Sequence, residues 1–464
     1  MVDRYEDTLR YLWGLHRLGS RPGLDTIRAL LEGLGNPERT FRSIHVTGSK
    51  GKGSTSAFLA SVLRETGTRT GLYTSPHLLS YRERVEVDGR PIPKSSVVAG
   101  VAEVRKVAAR LLKEGTLERE PTFFEVTTAL AFWHFRASKV ETAVVEVGLG
   151  GRLDATNTIQ APVCVVTTLE LEHTEIIGPT LRDIATEKAG IFHRGAWAVT
   201  GVEGGEGFET LRHEAFQRGV PLWKLGQDFT MVRTSFDART QTIDVTTPVR
   251  SHPGLTISML GAFQARNAGV AVAALDLWGR VTGTPVPEEA LARGLKSTRW
   301  PGRLERVADA PPLYVDVAHT PESVAEVATA LEELEPGFSP QGSAVLFSCL
   351  KDKRLAPMLD TLSAVAGTIV LVPLASERAM SLKEMELEAR PRFRRLVAVG
   401  SAAEGLRLAR VATEEEGLTL VTGSIYLVGE VIAQVRGTEV EQPRITDPLG
   451  VPSRANASAT AGSR

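Results

Sequence analysis

Cysteine is nearly absent: the 464 residues carry two, Cys164 and Cys349. Two thiols cannot build a disulfide framework or a cysteine-based zinc site, and such scarcity suits a reducing compartment. Aromatic residues make up only 6%, and charge of either sign is in no excess, with 54 Lys and Arg against 55 Asp and Glu. That balance supplies no basic field, and no basic patch is interleaved with aromatics, so no nucleic-acid partner is expected. Long apolar runs are missing too: nothing approaches the ~20 residues that span a bilayer. Residues 1–30 mix Arg, Asp and Glu with Leu instead of forming the apolar centre of a secretion signal. The expectation is a cytoplasmic monomer with no membrane partner. Hydrophobic residues at 42% and charged residues at 23% are ordinary for a folded chain. At ~150 residues per domain, the length predicts two or three domains.

Residues 1–40 read as helical, with Leu9, Tyr11, Leu12, Leu15 and Leu18 spaced as one buried face. A short strand, Ile44-His45-Val46, then runs into a Gly/Lys/Ser loop, and residues 56–65 return to helical spacing. Continuous Val-rich runs at 142–147 and 163–168 predict strands buried on both faces of a parallel sheet. Residues 196–260 read as a β-rich section, and 262–277 as a helix. After Pro301-Gly302, β/α alternation restarts, with strands expected at 313–317, 343–348, 368–372, 395–399 and 418–422. The fold class is therefore α/β. Residues 1–296 form a phosphate-loop domain with a mostly parallel sheet and a small β-rich section, and 297–303 form a hinge. Residues 304–450 form a doubly wound Rossmann-like domain, and 451–464, rich in Ala, Ser and Gly, form a disordered tail.

Three segments carry chemistry. In Gly48-Ser49-Lys50-Gly51-Lys52-Gly53-Ser54, successive glycines let backbone N–H groups curl round phosphate oxygens, and the following helix directs its positive end at them. The strict phosphate-loop spacing fails, since Val46 and Gly53 occupy two of its fixed positions. The strand–loop–helix context nevertheless predicts a nucleoside triphosphate site, with Lys52 on the terminal phosphates and Ser54 on Mg²⁺. Glu146 ends a Val-rich strand before Gly148, Gly150 and Gly151; a carboxylate there is costly to bury alone and should face a cation. Past the next strand comes Glu170-Leu171-Glu172-His173. Spacing alone leaves His173 open between ligand and structural residue, because hard cations prefer oxygen. Lys188 lies on an otherwise apolar helix, where a snorkelling lysine is the ordinary reading and a pKa-shifted amine the other.

Together these segments resemble the folylpolyglutamate synthase/dihydrofolate synthase family of the Mur ligase superfamily. The resemblance also takes in Ser75-Pro76-His77-Leu78, Glu187-Lys188-Ala189-Gly190, Pro301-Gly302-Arg303-Leu304-Glu305 and Gly423-Ser424-Ile425-Tyr426, and covers residues 24–430. It implies two Mg²⁺ sites served by Ser54, Ser75, Glu146 and His173, and a CO₂-derived carbamate on Lys188. It implies ATP contacts from Gly51, Lys52, Gly53, Ser54, Asn267, Arg303 and Asp316. Pterin contacts are implied at Gly23, Leu24, Phe123, Phe124, Leu153, Asp154 and Ala155, although the two phenylalanines could equally be core. The chain departs from the family at Lys50, where many members carry Asn, and in Asp316-Val317-Ala318-His319-Thr320, which replaces Asp-Gly-Ala-His-Asn.

The implied substrates are dihydropteroate or a reduced folate, L-glutamate and ATP. The acid would be phosphorylated to an acyl phosphate and then attacked by the glutamate amine, with Lys52, Glu146, His173 and Lys188 in catalytic roles. A Mur-type amide ligase with a non-folate acceptor is the first competing reading. A nucleotide-binding regulator that ligates nothing is the second.

Overall fold

Three sheets organise the computed structural model, which describes residues 2–19 and 23–441. The tail expected at 451–464 lies outside the described residues. The largest sheet contains β1 (Arg42–Thr47), β2 (Thr70–Tyr73), β3 (Val85–Val87), β4 (Arg90–Pro91), β5 (Thr142–Glu146), β6 (Val163–Val166), β7 (Trp197–Thr200) and β8 (Leu222–Lys224). Their order is β4-β3-β2-β5-β1-β6-β7-β8. The strands from β2 to β8 pair in parallel, and only β3 and β4 run antiparallel at one edge.

The Val-rich runs are buried on both faces, as parallel strands require. Ala143 and Val145 of β5 pack beneath the helices Val2–Gly14, Lys94–Lys113 and Phe123–Ala137. Val144 points the other way, into a core shared with the helices Lys52–Glu65 and Ala262–Thr282. Strand order reverses around β1, which has β5 on one side and β6 on the other. The crevice outside the carboxyl ends of those three strands is where an open α/β sheet binds ligands.

Residues 196–260 hold the expected β-rich section, five strands with one helix that was not expected. Strands β7 and β8 belong to the large sheet, and the helix Gly205–Arg218 lies between them. Its buried Phe208, Leu211 and Ala215 follow helical spacing, a signal outweighed by the β-branched runs downstream. Only β9 (Thr230–Phe236), β10 (Gln241–Thr246) and β11 (Ser251–Ile257) form the separate antiparallel sheet.

The third sheet comprises β12 (Glu305–Asp309), β13 (Pro312–Val315), β14 (Ala344–Phe347), β15 (Thr368–Leu371), β16 (Arg395–Ala398) and β17 (Thr419–Thr422), ordered β12-β13-β17-β14-β15-β16. All pairings are parallel except that of β12. Strand β12 was not anticipated, because Glu305-Arg306-Val307-Ala308-Asp309 contains no apolar run and needs none at a half-buried edge. The two lobes touch at several points. Leu78 enters the C-terminal core beside Val317 and Val428, and Arg233 pairs with Glu333 at 2.7 Å.

Candidate active site

Strand β1 ends at Thr47, and the loop 48–51 turns the chain into the helix Lys52–Glu65. The turn needs glycine. Gly51 sits at φ 80°, and a Cβ there would lie 2.3 Å from Asn267 Oδ1. A Cβ on Gly53 would lie 2.9 Å from Trp300 Nε1, so the connector between the lobes presses onto the same loop. Lys52 folds back, its Nζ donating to the carbonyls of Gly48 (2.8 Å) and Ser49 (3.2 Å). Ser54 is buried in the first helical turn.

The strands flanking β1 bring the remaining groups. Glu146 ends β5 opposite Val46, and its Oε2 accepts from the Ser75 N–H at 3.2 Å. Burial pushes its carboxyl up to about 7 against the pull of Lys52, Arg303 and Arg84. The expected cations are therefore present as neighbouring charges, and the direct hydrogen bond comes from a backbone amide. Beyond β6, Thr167 and Thr168 hold the loop: Thr168 Oγ1 accepts from the Lys50 N–H at 2.8 Å, and Thr167 Oγ1 donates to the Lys50 carbonyl at 2.5 Å.

His173 follows at φ 48°, half-buried, and burial holds its ring below the ordinary imidazole value. Among the described residues no group of three or more His, Cys, Asp or Glu is placed to hold a metal ion. The expected ligand set contains only one carboxylate and one imidazole beside two hydroxyls, and such a set needs phosphate or water oxygens to complete a shell.

Lys188, with 2% of its side chain exposed, donates to the Gly48 carbonyl (2.9 Å) and to Glu172 Oε1 (3.0 Å). Burial lowers its amine to about 8 although Glu172 opposes the fall. Burial alone would raise Glu172, but Lys188, Lys52 and His173 together bring it down to about 2. Glu172 is a site residue that sequence reasoning did not single out. Its signal was a carboxylate next to His173, and the partner that gives it meaning lies sixteen residues away.

From the second lobe, Arg303 stands half-buried within electrostatic reach of Asp316 and Glu146. Asp316 follows β13 and accepts two backbone N–H groups, from Leu304 on Oδ2 and Ala318 on Oδ1, both at 2.7 Å. Burial raises its carboxyl to about 6 against the pull of Arg303. Asn267 is buried in the helix Ala262–Thr282, bonded to Gln264 Oε1 at 3.0 Å and directed at Gly51. The two departures meet: Lys50 Nζ donates to Thr320 Oγ1 at 2.9 Å across the lobes. Thr320 caps the helix Pro321–Leu334, accepting from the Ser323 N–H. His319 Nδ1 lies 2.8 Å from the Val317 carbonyl, and burial lowers its ring to about 3, so it is neutral.

The expected pterin residues fall into two groups. Phe123 is 3% exposed and already covered, with His16 stacked at 4.1 Å and Trp13 at 5.6 Å. Phe124 is half-buried and packs against Gly148, where a Cβ would lie 2.4 Å from its ring. Asp154 clamps the loop after β5: its Oδ2 takes the N–H groups of Gly148 (3.1 Å) and Leu149 (2.9 Å). Its Oδ1 takes the Thr156 hydroxyl at 2.6 Å. Leu153 donates its N–H to Glu187 Oε1 at 3.3 Å, and Ala155 is buried. Leu24, half-buried, precedes the helix Asp25–Gly33, with Gly23 before it.

An open parallel sheet with a phosphate loop at its switch point, overhung by a second α/β lobe that contributes an arginine, is the architecture of the Mur ligases. Residues 46–275 match the Mur ligase middle domain, and 302–425 the Mur ligase glutamate ligase domain. Within that class, the chain belongs to the folylpolyglutamate synthase/dihydrofolate synthase family. It is 33% identical over 428 residues to the folylpolyglutamate synthase of Lacticaseibacillus casei, covering 92% of this chain and 97% of that one. It is 34% identical over 386 residues to the dihydrofolate synthase/folylpolyglutamate synthase of Bacillus subtilis, covering 83% and 89%. A probable bifunctional folylpolyglutamate synthase/dihydropteroate synthase of Haloferax volcanii is 36% identical, and this chain spans half its length. Among solved structures, the Mycobacterium tuberculosis folylpolyglutamate synthase complexed with ADP aligns with a TM-score of 0.85 at 29% identity, over 94% of this chain and all of that one.

Proposed function

We propose that this cleft joins L-glutamate to dihydropteroate and to reduced folates at the expense of ATP, through an acyl phosphate. The observation that carries the reading is convergence. The phosphate loop after β1, the buried Glu146 after β5 and the Glu172–Lys188 pair beyond β6 meet one crevice, and Arg303 faces it from the other lobe. Relatives named for both activities, and an Escherichia coli FolC structure in complex with DHPP and ADP, support the substrate class.

A carboxylate does not react with an amine at neutral pH. In the proposed reaction an oxygen of the acceptor carboxylate attacks the terminal phosphorus of ATP, and the bond to ADP breaks. The glutamate amine then adds to the acyl carbon, loses a proton, and inorganic phosphate leaves as the tetrahedral intermediate collapses. Lys52 and Arg303 bring positive charge to the transferring group, and the loop N–H groups fix it in line. Closure about residues 297–303 would keep water from the acyl phosphate.

Ser54, Ser75, Glu146 and His173 would hold Mg²⁺, whose bound charge neutralises phosphate oxygens. Glu146 suits that role, being a buried carboxylate whose one hydrogen-bond donor among the described residues is the Ser75 N–H and which therefore gains from a cation. Lys188 is the candidate carbamate carrier, since an amine lowered to about 8 has a substantial neutral fraction for CO₂. A carbamate there would stand as a second anion beside Glu172, and the positive charge of Lys52 and of bound Mg²⁺ would offset the pair.

Separate incubations with dihydropteroate and with a reduced folate, each with glutamate and ATP, test the reading by product mass. One added glutamyl residue is expected in each arm; an adduct in one arm alone would restrict the reading to that acceptor, and no adduct in both would overturn it.

A further inference from the structure

A polar group outside the proposed chemistry converges on Glu441. Past the helix Ile425–Arg436 the chain turns at Gly437 (φ 64°), leaves the C-terminal lobe and crosses to the N-terminal one. There the Glu441 N–H donates to the Leu79 carbonyl at 2.6 Å. Its Oε2 accepts from Ser80 Oγ (2.7 Å) and Tyr5 Oη (2.9 Å), and Lys94 Nζ lies 3.7 Å from Oε1. The His77 ring hydrogen-bonds to the Glu441 backbone. His77 Nδ1 accepts from Arg84 Nε at 2.9 Å, so a neutral ring keeps its proton on the other nitrogen, the tautomer a carbonyl acceptor needs.

One residue of the second lobe thus grips three positions of the 75–80 loop, His77, Leu79 and Ser80. That loop presents the Ser75 N–H to Glu146 at one end and stacks His77 on Trp13 at 5.8 Å in the middle. Glu83 already satisfies the loop's own N–H groups at Leu78, Leu79 and Ser80. Glu441 supplies, from the other lobe, the partners of the Leu79 carbonyl and the Ser80 hydroxyl, so its contacts place the loop between lobes.

We propose that Glu441 is a positioning residue through which the C-terminal lobe holds the 75–80 loop in the conformation that receives the acceptor substrate. The inference rests on the reading of the cleft given above. It concerns the acceptor side, because the gripped segment stacks His77 on Trp13 and so adjoins the Trp13–His16–Phe123 cluster.

Glu441→Ala and Glu441→Gln in the full chain test it with two readouts. Amide hydrogen exchange in residues 76–84 of the ligand-free protein should rise about tenfold in Glu441→Ala, the effect of losing roughly one net hydrogen bond, while exchange in β9–β11 stays unchanged. The acceptor KM should rise about tenfold with kcat and the ATP KM nearly constant. Glu441→Gln, which keeps an oxygen for Ser80 and Tyr5, should restore most of both. Tyr5→Phe, removing one donor, should move both readouts less and in the same direction, and serves if Glu441→Ala folds poorly. Unchanged exchange overturns the proposal, and so does raised exchange with an unchanged acceptor KM. A wild-type protein that ligates no folate would refute the reading of the cleft, and exchange would still report whether Glu441 orders the loop.

Discussion

Substituting Gly51 by Ala tests the phosphate loop at its most constrained point. Gly51 holds φ at 80°, where an L side chain costs roughly 1–2 kcal/mol. The new Cβ would also lie 2.3 Å from Asn267 Oδ1, at least about 1 Å inside ordinary van der Waals contact. Asn267 cannot give way freely, because its Nδ2 donates to Gln264 at 3.0 Å within a buried helix face. Displacing it forfeits about one further kcal/mol, so the folded protein should lose about 2–3 kcal/mol, a fall in Tm of about 3 °C for a chain of this length. The N–H groups aimed at phosphate are displaced with the loop, and affinity for a non-hydrolysable ATP analogue in calorimetric titration should fall ten- to a hundredfold, about 1.4–2.8 kcal/mol. Asn267→Ala removes the colliding oxygen and leaves the dihedral strain. The double variant should therefore be more stable than the two single losses predict, with a coupling of about 1 kcal/mol. Strict additivity, or unaltered nucleotide affinity in Gly51→Ala, would refute this account of the loop.

Two further outcomes are expected. His252, fully buried on β11, bridges Asp276 and Glu288 at 2.9 Å each, with Arg250 beside both carboxylates. Burial alone would lower its pKa, but those bonds raise it above the ordinary 6.5, while the same contacts lower Asp276 against its own burial. The His252 contribution is thus complete below pH 6.5 and lost as pH rises through the folded value, whereas that of Asp276 is lost on acidification below its ordinary 3.8. His252→Gln should flatten the decline of Tm above pH 6.5, and an identical profile would discount the bridge. Second, Lys50→Asn and Thr320→Val should each raise the ATP KM, and the double variant should be no worse than Thr320→Val, which loses the shared bond and the helix cap as well. Independent, multiplying effects would mean that Lys50 works without Thr320.

How much of this could be read from the chain depended on whether the signal was local. Strand β1, the glycine loop and the following helix are contiguous, and the Val-rich runs of β5 and β6 announce burial on both faces, so the sheet and the crevice were legible. Strand β12 and the helix Gly205–Arg218 were not: one is a charged edge, and the other lies just before β-branched runs that dominate the reading. In the site, Lys188 stood out as a charge on an apolar helix, but Glu172 acquires its role only through a contact that folding creates. Lys50 and Thr320 looked like two unrelated departures 270 positions apart, and only the structure joins them. Glu441 carried no signal at all, being an ordinary acidic residue near the end of the chain.

The carbonyls of Gly48 and Ser49 already hold the Lys52 ammonium, at 2.8 and 3.2 Å. An incoming triphosphate therefore meets a cation whose rotamer is fixed, and binding trades one oxygen acceptor for another without freezing a loose side chain. On that basis the enthalpy of nucleotide capture should be small, because bonds are exchanged in kind, and the driving force should come from water released by the phosphates and the loop.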